Sequence, residues 1–147
     1  MKIKLIEDPE MEEDMIITSK TISPELMQFV DSMESKNATI IAQHRGQDLR
    51  IHAEDVLFFE TEVDGVVVHL NEKYYKTKYK LYSLVENLPP SFMRVSKSCI
   101  INIDKVAGYE RSITSSRLVF FTDSKKTSYV SRMYFSQFKD RLIERSL

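Results

Sequence analysis

The chain has 147 residues, 21 basic and 22 acidic side chains, a net charge of −1, 42% apolar residues and one cysteine. That length fits one domain, or one domain with a small extension, and the composition supports a packed core. It excludes an internal disulfide and a multi-cysteine zinc site, and no stretch reaches the ~20 apolar residues of a membrane span.

The first segment, Lys2-Ile3-Lys4-Leu5-Ile6, alternates like a half-buried strand. It turns acidic at Glu7, too early for a signal peptide, so a cytoplasmic location is expected. An acidic connector leads to Met15-Ile16-Ile17-Thr18, which predicts a second short strand. Ser23-Pro24-Glu25 then predicts a helix start, with Ser as N-cap, Pro in the first turn and an acid at the positive end of the dipole. Leu26, Phe29, Val30 and Met33 form one apolar stripe on that helix. The polar run Glu34-Ser35-Lys36-Asn37 predicts a seam. It separates an N-terminal extension, 1–37, from a main domain, 38–147. The extension is expected to serve dimerisation or partner docking.

From Ala38 the period becomes that of strands. Residues 38–43 and 47–51 flank Arg45-Gly46, and residues 56–61 and 66–70 flank Asp64-Gly65, so two hairpins are predicted. A strand at 74–77 follows. A helix over 79–87 carries Leu81, Leu84, Val85 and Leu88 on one face and stops at Pro89-Pro90. Strands are predicted around 94–102, 107–113, 118–122 and 127–130. A last helix, from about Met133 to Arg145, turns Phe135, Phe138 and Leu142 to one side. The fold class is mainly β with peripheral helices, an α+β arrangement.

No catalytic constellation stands out. His44, His52 and His69 lack metal-ligand spacing, and three glycines build no phosphate loop. Cys99 lies in an apolar run and reads as a packing residue. No enzymatic activity, metal or cofactor is expected. The charge is uneven: residues 91–147 carry 11 basic and 5 acidic side chains, net +6, against −4 for 1–46 and −3 for 47–90. An anionic partner for the C-terminal part would explain that gradient.

Two segments carry the binding chemistry. In Arg94-Val95-Ser96-Lys97-Ser98-Cys99-Ile100-Ile101-Asn102, a basic and hydroxyl-rich tip precedes a buried strand. Lys97 suits guanine edges or phosphate, and Ser96 and Ser98 suit phosphate or base edges. Ser128-Tyr129-Val130-Ser131-Arg132 repeats the design, with the Arg132 fork suited to bidentate contacts. Lys125 and Lys126 add sequence-independent attraction for a polyanion. The residues alone leave nucleic-acid binding, a protein-interaction module and small-ligand sensing open.

A resemblance narrows these. The stretch Ile51–Thr61, the run Tyr82–Asn102 with its Leu88-Pro89, Phe92 and Arg94-Val95-Ser96-Lys97-Ser98, and Val130-Ser131-Arg132-Met133-Tyr134 together resemble the LytTR-type DNA-binding domain family. The resemblance covers roughly the last two-thirds of the chain. It implies an elongated, mostly β fold that inserts loops into successive major grooves of duplex DNA. It further implies a sequence-specific bacterial transcription regulator, expected as a homodimer on paired promoter repeats. By position, Lys97 and Arg132 become base-contact residues, with Ser96 beside them. Arg94, Ser98 and Ser131 become supports or phosphate contacts. The tip at Val63-Asp64-Gly65 becomes a third DNA-facing loop, in which Asp64 is a weaker contact. Phe92, Glu60 and Asn102 read as structural. Two departures stand out: Ser96 occupies a position usually held by His, and Cys99 one usually held by an aromatic residue. No receiver domain fits in residues 1–46, so the chain resembles short, receiver-less members, which are often controlled by a membrane-protein partner. The alternative reading is a protein-interaction module whose DNA loops are degenerate.

Overall fold

The computed structural model describes residues 3–12, 15–111 and 116–146. Its elements run α1 (Pro24–Asn37), β1 (Thr39–His44), β2 (Gln47–His52), β3 (Phe58–Glu62), β4 (Gly65–His69), β5 (Tyr74–Thr77), α2 (Leu81–Asn87), β6 (Phe92–Ser96), β7 (Cys99–Asn102), β8 (Val106–Tyr109), β9 (Arg117–Phe121), β10 (Thr127–Val130) and α3 (Phe135–Glu144). The mainly β reading holds. The expected strand over 107–113 is realised as β8, and Ile113 lies outside the described residues.

Seven strands form one sheet in the order β2-β1-β5-β4-β3-β7-β6, and β10-β9-β8 form a second. All pairings are antiparallel. Period-two alternation feeds two cores, one on each face of the large sheet. Phe59, Val66, Val68, Phe92 and Ile100 enter the core that α2 closes with Leu81 and Leu84. Their neighbours Phe58, Met93, Val95, Cys99 and Ile101 enter the other core, with Val119, Phe121 and Val130 of the small sheet and Phe138 of α3. Central strands covered on both faces read as continuous apolar runs. That is why all four residues of β7 are buried. Asn102, the one polar residue of that strand, is 2% exposed. Its Nδ2 donates to the Val56 carbonyl at 2.9 Å, and its Oδ1 accepts the Asp104 N–H at 3.1 Å. It is thus the structural residue the sequence suggests.

The two hairpin signals are realised. Arg45 and Gly46 take φ of 49° and 78°, both left-handed, the turn that matches strand twist. At the other turn Gly65 has φ 137°.

The N-terminal expectations need correction. Neither 3–6 nor 15–18 forms a strand, and Lys2 lies outside the described residues. Ile3, Leu5, Ile6 and Ile16 are exposed. Alternation is a local signal, whereas a strand needs a partner, and these segments have none here. The helix is correct: the Ser23 Oγ accepts the Leu26 N–H at 3.2 Å. It runs to Asn37, so the polar stretch expected as a seam is helical. Its stripe is only half-buried at Leu26, Val30 and Met33, and Phe29 is 53% exposed.

Candidate nucleic-acid interface

Three loops meet at one end of the large sheet. β3 lies beside β7 with Glu60 opposite Cys99. One residue on, the Thr61 N–H donates to the Ser98 carbonyl at 2.8 Å. This sets the β3–β4 tip, residues 62–65, next to the β6–β7 turn at Lys97-Ser98. The third loop follows β10. A register shift between Arg94 and Ser96 marks a bulge at Val95. The bulged residue accepts the Ser131 N–H on its carbonyl at 2.8 Å. The junction of β10 and α3, with Ser131 and Arg132, is thereby docked on the edge of β6. The Tyr134 N–H closes the next turn onto the Ser131 carbonyl at 3.0 Å.

The side chains divide into engaged and unengaged groups. The Arg94 Nε donates to the Ser96 carbonyl at 3.1 Å and its Nη2 to the Lys97 carbonyl at 2.7 Å. The Ser96 Oγ accepts the Ser98 N–H at 3.2 Å and lies 3.4 Å from the Ser98 Oγ. Lys97 and Arg132 are exposed, and neither cation has a partner among the described residues. Cys99 lies beneath this end, its thiol 3.3 Å from the Ser128 hydroxyl, and burial pushes that thiol up to about 12. A thiol so protonated is no nucleophile at neutral pH.

Asp64 reaches the same end, but its carboxylate pairs with the Lys76 ammonium. That hydrogen bond holds the Asp64 carboxyl below the ordinary carboxylate range. The negative charge of Asp64 is therefore compensated, while Glu62 beside it stays exposed.

Lys125 and Lys126 lie elsewhere. β10 runs from Thr127 at the far end of the sheet to Val130 at the loop end, a span of about 10 Å. The Lys126 Nζ donates to the Lys73 carbonyl at 2.7 Å and lies 3.3 Å from the His69 Nδ1. The Ser124 Oγ donates to the Asn71 carbonyl at 2.9 Å. These bonds tie the β9–β10 loop to the β4–β5 turn, so the structure separates Lys125 and Lys126 from Lys97 and Arg132.

Sequence reasoning missed the setting of His69. Its ring stacks on Phe58 with centroids 4.2 Å apart, and its Nε2 is buried. Burial, followed by the nearby Lys126 ammonium, lowers its pKa to about 4. The half-exposed Glu60 carboxylate lies 3.6 Å from Nε2. Glu60, Glu62 and His69 bring potential ligand atoms within 4.8 Å of one another. The Lys126 ammonium lies 3.3 Å from the Nδ1 of that ring, which places a positive charge beside the cluster. Because the unfolded histidine titrates near 6.5 and the folded one near 4, the unfolded chain binds more protons between those values. The contribution of neutral His69 is complete above pH 6.5 and is lost as pH falls toward 4. We expect a stability loss of roughly 1–2 kcal/mol between pH 7 and pH 5, discounted for solvent screening. Urea midpoints should show this drop in the wild type and a smaller one in His69→Gln.

The β scaffold thus presents two exposed cations, Lys97 and Arg132, on adjacent loops, without partners among the described residues. Residues 46–143 match the LytTr DNA-binding domain family, and the chain belongs to that family. In fold it is similar to a LytTr DNA-binding domain from Bacillus cereus, with a TM-score of 0.66 and 21% identity over 72% of this chain and 97% of that one. In sequence it is similar to proteins named as uncharacterized HTH-type transcriptional regulators of Staphylococcus aureus. One, from strain bovine RF122, is 33% identical over 95 residues, and another, from strain NCTC 8325, is 32% identical over 95 residues. Both matches cover 63% of this chain and 62% of the relative's length. Strands separate α1, α2 and α3 from one another, so among the described residues no two helices follow in the tandem of a helix-turn-helix.

Proposed function

We propose that the chain is a transcription regulator that binds specific double-stranded DNA through the loops at the β6–β7 turn and the β10–α3 junction. The observation that carries this reading is the pairing of Lys97 and Arg132: exposed, without partners among the described residues, and mounted on neighbouring loops fixed by backbone hydrogen bonds. A Lys and an Arg so placed can enter the major groove and donate to guanine edges. Lys125 and Lys126 are not part of the interface in this reading, and Asp64 only borders it. Ser131 supports the junction through its backbone.

The domain division belongs to the same proposal. Residues 38–147 bind DNA, and 1–37 form an extension that serves dimerisation or docks a partner. The half-buried stripe of α1 favours that role. A dimer on paired repeats, and control by a membrane-protein partner, rest on the family resemblance alone.

Selection of bound duplexes from a random library at about physiological salt tests the reading. The expected result is a paired-repeat motif. Failure to enrich any sequence, with binding that vanishes as salt rises, overturns it in favour of a protein-interaction module with degenerate DNA loops.

A further inference from the structure

We infer that Arg94 is a positioning residue, which acts on DNA only through Lys97. This inference rests on the DNA-binding reading above. It begins with the backbone of the turn. Ser96 pairs with Cys99, so Lys97-Ser98 is a two-residue hairpin connection. Two-residue turns that match the twist of their strands need left-handed φ, at both central residues or at the first. Arg45-Gly46 meets this condition, but Lys97 and Ser98 both keep negative φ. Such a turn splays its strands and needs support from outside its own backbone.

The support is visible. The planar guanidinium of Arg94 bridges two successive carbonyls, those of Ser96 and Lys97. The Ser96 hydroxyl takes the Ser98 N–H, and the Ser98 carbonyl takes the Thr61 N–H. The three carbonyls of the turn are thus occupied from the protein side. Arg94 spends its Nε and one terminal nitrogen on this bridge and is half-buried. Ser96 is committed in the same way. What the turn offers outward is the Lys97 ammonium, held on a backbone that needs no reordering when DNA arrives. Fixing a contact in its bound geometry raises affinity by lowering the cost of ordering. A lysine at position 94 keeps the charge but lacks the planar fork that spans two carbonyls.

The experiment compares full-length Arg94→Met, Arg94→Lys and Lys97→Met on the selected duplex and on a scrambled one, over a salt series. Amide exchange at Lys97 and Ser98 is measured on the same proteins without DNA. Both Arg94 variants should bind the selected duplex about tenfold more weakly, with the salt slope of wild type, and should speed exchange at Lys97 and Ser98. Lys97→Met should weaken the selected duplex more than the scrambled one, narrowing the preference between them, and leave exchange unchanged. An Arg94→Met variant that lowers the slope by about one and weakens both duplexes equally is a lost phosphate contact and overturns the inference. So does an Arg94→Lys variant that matches wild type, or exchange at the turn that stays slow. If wild type shows no sequence preference, the DNA reading fails, and the exchange rates still decide whether Arg94 holds the turn.

Discussion

Replacing Lys97 and Arg132 together by alanine is expected to abolish sequence-specific DNA binding while leaving the fold intact. Each side chain stands in solvent without an intramolecular partner among the described residues, so its removal opens no cavity and orphans no buried group. Each contact to a base edge is worth about 1–3 kcal/mol. The Ser131–Arg132 junction is docked on Val95, two residues before Lys97, so the two losses can couple, and their simple sum is a guide to scale. The sum, roughly 2–6 kcal/mol, is comparable to the whole gap between specific and non-specific binding. Titration of the double variant against selected and scrambled duplexes should give nearly equal affinities, with an unchanged urea midpoint. A double variant that still prefers the selected duplex by more than about tenfold would remove both residues from the interface.

The second large effect concerns Phe138. Its side chain is fully buried, in edge-to-face contact with Tyr109 at 5.7 Å and near Phe135 at 6.3 Å. It is the residue through which α3 closes the core shared with Val95, Val119 and Val130. Truncating a buried Phe to Ala costs about 3–5 kcal/mol, through lost transfer energy and the cavity left behind. Phe138→Ala should therefore lose a large part of a single domain's stability, read as a lower urea midpoint. It should also weaken specific DNA binding in material that is still folded, because α3 anchors the far side of the Ser131–Arg132 junction. A midpoint shift below about 1 kcal/mol would mean that α3 is not packed as described.

The strands of the central sheet were legible because their chemistry is local. Phe58-Phe59 and Ile100-Ile101 are paired apolar residues, and only a strand covered on both faces needs them. The segments 2–6 and 15–18 have the same local chemistry without partners, and sequence periodicity cannot tell the two cases apart. Of the proposed site, the exposure of Lys97 and Arg132 was legible, because basic residues beside an apolar strand have few structural uses. The acceptors of Arg94 were not, since they are backbone carbonyls that every sequence possesses. Nor was the separation of Lys126 from Arg132. Six positions apart in the chain, they sit at opposite ends of β10, and the nearer neighbours of Lys126 are His69 and Lys73.

The strand that follows the Lys97-Ser98 turn is held on both faces, and the turn itself is held by backbone hydrogen bonds, the Ser96 hydroxyl and one guanidinium. Mutations therefore meet two very different levels of tolerance within a few positions. A change at Cys99 or Ile101 repacks one core, and a change at Ile100 repacks the other. At Lys97 most side chains fit, because none of the atoms that shape the turn belong to it beyond the main chain. Under the proposed function, such an arrangement would let a lineage change the sequence it reads by single substitutions at Lys97 or Arg132. Arg94 and β7 keep the presenting surface constant meanwhile, so new operators can be acquired without an unstable intermediate.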